Sequence, residues 1–87
     1  RLQGADLLRV EAADGLIELT VVGAEDDPAD NVVLIGDAAV QPEGGSLSGG
    51  RGLLRARVPA DQPAGDCKVS FIADGEQSEA SEVVAQP

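Results

Sequence analysis

Residues 55–75 read RARVPADQPAGDCKVSFIADG, and the fold class turns on this stretch. Ala56 and Val58 alternate with Arg55 and Arg57, the period of two that puts apolar side chains on one face of a strand. Pro59 ends the run. The connector 60–65 holds Pro63 and Gly65. Cys67, Val69 and Phe71 then alternate with Lys68, Ser70 and Ile72 as far as the turn Asp74-Gly75. Strand, corner, strand and turn follow one another, and the only Phe, Cys and Lys of the chain all fall here. The pattern predicts a β-sandwich module and names no chemistry.

Outward from it, short strands continue in both directions. Residues 6–11 read as a first strand, with Leu8 and Val10 in one phase and Leu7 and Arg9 in the other. Asp14-Gly15 is a hairpin dipeptide, because Gly tolerates positive φ. In 16–22, Ile17, Leu19 and Val21 share a face against Glu18, Thr20 and Val22, and Gly23 closes the strand. Residues 24–31 form a polar connector. The apolar run 32–35 is a strand that periodicity alone does not orient, placed near the sandwich centre by its length and flanks. Asp37 turns the chain, and 39–41 make a short extra strand before Pro42. Residues 43–52, rich in Gly, read as a permissive loop. Leu54, Ala56 and Val58 point inward from 53–58. A last strand covers 82–85, its inward phase open between Val83 and Val84. About seven short strands with turn signals between them predict an all-β, immunoglobulin-like antiparallel β-sandwich.

At 87 residues the chain is one domain. It begins at Arg1, without Met or a signal-like apolar region, and is expected to be a processed form or an excised module of a larger protein. Apolar residues make up 43% and aromatics 1%, so the core is built from many small aliphatic increments. That suits a thin sandwich and not a large ligand cavity. Sixteen Asp and Glu stand against six Lys and Arg, a net charge of −10. Such a surface repels nucleic acid, whose affinity comes largely from Lys and Arg on phosphates, and anionic membranes likewise. No apolar run approaches the length of a membrane helix, so no membrane insertion is expected. The single Cys67 excludes an internal disulfide. In phase with Val69 and Phe71, it reads as a small buried hydrophobe.

The order of features over 16–85 resembles the IPT/TIG immunoglobulin-like domains. Leu19-Thr20-Val21-Val22-Gly23 is similar to that family's early strand and closing glycine, and Val33-Leu34-Ile35-Gly36 to the next. Val58-Pro59, then Gly65, Cys67, Val69 and Phe71, resembles the penultimate hairpin, and Asp74-Gly75 with Ser78 the final turn. The resemblance implies a non-catalytic module of the kind found in cell-surface receptors and secreted bacterial proteins. It favours an extracellular, cell-surface or particle-associated location.

Three features compete as sites. Gly45 and Gly50 have the spacing of a phosphate-binding loop, but Arg51-Gly52 stands where Lys and Ser or Thr belong, and no helix follows. Asp26, Asp27, Asp30 and Asn31 gather hard oxygens in one loop, with Asp37 able to join them. They are the candidate calcium ligands, set against a plain solvating turn. Arg55 and Arg57 face away from the core. They read either as solubilising cross-strand pairs or as a basic strip that meets an acidic surface on another copy. Catalysis lacks support: there is no His, no nucleophile elbow and no cysteine–metal pattern.

The sequence therefore predicts no enzyme but a structural or protein-interaction module: a spacer, adhesion or assembly unit. A protein partner or a second copy would dock through edge strands or through the loop that runs from Gly44 to Gly52. The alternatives are a self-assembling subunit of a filament or virion surface, or a ligand-binding accessory domain of a secreted enzyme.

Overall fold

The computed structural model describes residues 4–87. Nine strands follow one another: β1 (Asp6–Ala13), β2 (Leu16–Val22), β3 (Asn31–Ile35), β4 (Ala38–Val40), β5 (Gly44–Ser48), β6 (Arg51–Arg57), β7 (Gly65–Ala73), β8 (Glu76–Gln77) and β9 (Ser81–Ala85). A 3-10 turn, Pro28–Asp30, is the only helical segment among the described residues. No helix among them is long and apolar enough to cross a membrane.

The strands form two antiparallel sheets. The first has the order β1-β2-β6-β5; in the second, β4-β3-β7 is flanked by β8 and β9 along one side of β7. Four strands facing three, plus β4 as an added edge, is the immunoglobulin-type order. β8 and β9 are one edge strand broken by a bulge: from Ile72 to Val69 is three steps on β7, whereas the partners Gln77 and Ser81 are four apart.

Two-residue turns build the hairpins. Asp14-Gly15, Gly49-Gly50 and Asp74-Gly75 all have positive φ at both positions, the twist that matches the flanking strands. Inward side chains then meet across the sheets. Ile17, Leu19 and Val21 lie opposite Ala56, Leu54 and Gly52; Val33 and Ile35 lie opposite Phe71 and Val69. Together with Val58, Cys67, Ala73 and Ala85 they form one aliphatic core around Phe71, which is wholly buried.

Three expectations change, and one point left open is settled. Residues 43–52 are not a permissive loop: Gly44–Ser48 is strand β5, and the turn is only Gly49-Gly50. Two of its glycines, Gly45 and Gly52, answer to close approach. A Cβ at Gly52, where φ is +141°, would lie 1.9 Å from the Ser46 carbonyl oxygen; one at Gly45 would lie 2.3 Å from that of Leu53. The first strand runs on to Ala13 and holds a bulge, with Leu7 opposite Val21 and Arg9 opposite Thr20. Leu7 and Val10 both pack on the core, so Leu8 does not share Val10's phase but stands outward beside Arg9. In β9 it is Val83 that packs inward, and Val84 is exposed. Asp37 sits in the β3–β4 turn, at the far end of β3 from Asn31, so it does not join the acidic loop.

Candidate functional site

The acidic connector is organised by one side chain. Asn31 is 1% exposed. Its Oδ1 accepts from the Glu25 N–H (2.9 Å), and its Nδ2 faces the carbonyls of Glu25 (3.1 Å), Asp27 (3.3 Å) and Pro28 (3.3 Å). A short polar side chain thus does for the loop what a ladder does for a strand, satisfying backbone groups at the sandwich edge. Asp27 caps the 3-10 turn by accepting from Ala29 N–H (3.1 Å). Asp26 accepts from Gly50 N–H (2.7 Å), while Ala24 N–H donates to the Gly50 carbonyl (3.0 Å). The loop is therefore clamped onto the β5–β6 turn. Asp30 is exposed beside them.

The proposed calcium ligands are near in sequence but engaged in different tasks. Asn31 and Asp26 each use an oxygen on the backbone, and Asp27 uses one as a cap. Among the described residues, no group of three or more His, Cys, Asp or Glu is placed to hold a metal.

The outer face of the first sheet has another character. Pairing sets Glu18 directly opposite Arg55, and the guanidinium Nε lies 3.1 Å from Glu18 Oε2. Arg57 holds Glu43 in a fork, Nε to Oε2 at 2.8 Å and Nη2 to Oε1 at 3.2 Å. That carboxylate keeps the guanidinium even more firmly protonated than usual, first by the hydrogen bond and then by its charge. Arg9 pairs with Glu11. The cross-strand reading of Arg55 and Arg57 is thus realised, and both charges are matched within the chain. With Arg51 and Asp6, the face carries four arginines and four carboxylates. The other twelve carboxylates face a single cation among the described residues, Lys68. The net charge is segregated away from one face.

That face is also partly apolar. Leu16, Thr20, Val22 and Leu53 are half-buried on it, and Leu8 is 60% exposed. A shallow cleft of about 220 Å³ opens between Glu11, Ala13, Leu16, Glu18 and Arg55. No composition signal marks it, because Arg9 joins the three arginines of β6 only through the pairing of β1 with β2 and of β2 with β6.

The edges differ as well. β1 is bulged and charged, and lies against β9. The β8–β9 edge is interrupted. β4 has three residues and is soon followed by Pro42. β5 has five, Gly-Gly-Ser-Leu-Ser, with no charge, Pro or break between them. Its Gly44, Ser46 and Ser48 pair with Arg55, Leu53 and Arg51 around a two-residue turn, so the N–H and C=O of Gly45 and Leu47 point away from β6. The 3-10 turn lies beside β5, and no backbone hydrogen bond joins the two. A Gly-Gly dipeptide between alternating residues was the signal for this hairpin.

Cys67 is buried at the base of β7. Burial, and then the charge of Asp66, push its thiol above the ordinary value, which suits packing and not nucleophilicity. No family model matches the chain, and no curated protein matches it.

Proposed function

We propose that the chain is a non-catalytic protein-interaction module of IPT/TIG-like kind, which takes an extended partner segment onto the edge of β5. One observation carries the reading: of the two edge strands with no charge, Pro, bulge or covering strand, β4 has three residues and β5 has five, so β5 offers the longer row of free backbone groups. Unprotected edges present a row of N–H and C=O groups that pair readily with another strand. The two docking places expected from the sequence, an edge strand and the glycine-rich stretch, fall together at this edge. The partner is a protein and not a nucleic acid, since the surface around β5 belongs to a chain of net charge −10.

Selection of displayed peptides against the purified chain tests this. Extended segments are expected to be enriched, and to lose binding to Leu47→Pro, which removes an outward N–H. N-methylation of the Leu47 amide in a ligated chain does the same while keeping the half-buried side chain. Binders indifferent to both changes would refute docking on β5.

A further inference from the structure

The outer face of the first sheet points to a second interaction, independent of the β5 edge. We infer that this face packs on the same face of a second copy of the chain, with each Leu8 seated in the other's cleft beside Leu16.

Charge selects the occupant. Two copies of a chain with net charge −10 repel wherever carboxylates meet. Charges separated by more than about 8 Å are largely screened at physiological ionic strength, so the local balance at the contact decides. The first sheet's outer face is locally neutral, its four arginines interspersed with Asp6, Glu11, Glu18 and Glu43, whereas the second sheet's outer face sets the one Lys68 against Asp66 and Glu82. Alternating signs on one patch are complementary to the same patch turned through a two-fold axis. Each guanidinium can then meet a carboxylate of the other copy without leaving its own.

Shape supplies the register. A leucine that is 60% exposed on a strand of this composition is placed there by the bulge, which adds a residue and re-aims side chains. The cleft between Ala13, Leu16, Glu18 and Arg55 lies at the other end of the same two strands. From Leu8 to Ala13 is five residues, roughly 16 Å at the usual strand rise. A knob and a hole on one face, separated in this way, are filled reciprocally when two copies pack about an axis near Val10 and Thr20. The contact leaves β5 open.

Sedimentation of the chain from micromolar to millimolar concentration reads the association. A monomer–dimer equilibrium is expected. Leu8→Glu should weaken it by about tenfold or more; Leu8→Ala serves if Glu disturbs the strand. Val32→Glu adds the same charge on the outer face of the second sheet, at a side chain 37% exposed, and should leave the dimer unchanged. A monomer throughout, or equal weakening by Leu8→Glu and Val32→Glu, would overturn the inference. So would a dimer abolished by Leu47→Pro and untouched at Leu8, because that outcome places self-contact on β5. Loss of peptide binding at β5, by contrast, leaves this dimer standing.

Discussion

Asn31 bears on the acidic loop more than any of the aspartates. With its amide removed, the Glu25 N–H and three carbonyls lose a partner in a place water scarcely reaches. Leaving such groups unpaired costs about 1–3 kcal/mol. Asn31→Leu, similar in volume, is expected to lower stability by that amount in urea unfolding. Calcium should leave the melting temperature of the wild-type chain unchanged, because Asp26, Asp27 and Asn31 are each turned to separate backbone partners and not toward a common point. A rise on adding calcium that a chelator erases would restore the loop as a metal site. The sequence shows an acidic cluster here, but it does not show the chain folding back over Asn31, since that depends on where β5 and β6 turn.

At the level of elements, legibility followed local chemistry. β2 and β7 were plain from alternation, and their inward residues Ile17, Leu19, Val21, Cys67, Val69 and Phe71 are the core. β5 was not, because glycine reads as loop when only its freedom is considered. Here backbone proximity demands it: the carbonyl of Ser46 occupies the space a Cβ at Gly52 would need. Gly52→Ala is therefore expected to cost about 1–3 kcal/mol. Gly44→Ala, with nothing within 4 Å of its would-be Cβ, should be close to neutral. Equal tolerance at both positions, measured by denaturant midpoint, would return the segment to a loop. The bulge at Leu8 was hidden for a different reason. Apolar residues at 7, 8 and 10 fit either phase, and only pairing with β2 chooses between them.

For the whole molecule, composition foretold the sign of the surface but not its distribution. The four arginines of the first sheet come from two strands, and their neutral face exists only once β1, β2 and β6 are aligned. The remaining surface repels itself. Raising sodium chloride from low to about half-molar should stabilise the fold by screening that repulsion. A gain of about 1 kcal/mol corresponds to roughly 4–8 °C in melting temperature for a domain of this size. Exposed ion pairs contribute little each and offset the gain only weakly. A melting temperature that falls with salt would show that the paired face, and not the repelling one, dominates.

The two ends of the described chain lie at opposite poles of the sandwich. Gly4 sits against Gly23, beyond one end of β2, and Pro87 against Gly15, beyond the other; the molecule extends 37 Å along its longest axis. Tension applied between those ends would run along the strands. The ladders joining β1 to β2 and β9 to β7 would then be loaded in shear, with many hydrogen bonds resisting together. Pulling across the strands would instead part the bonds one at a time. The immunoglobulin-type strand order thus sets the ladders of this small domain to resist tension along its own axis.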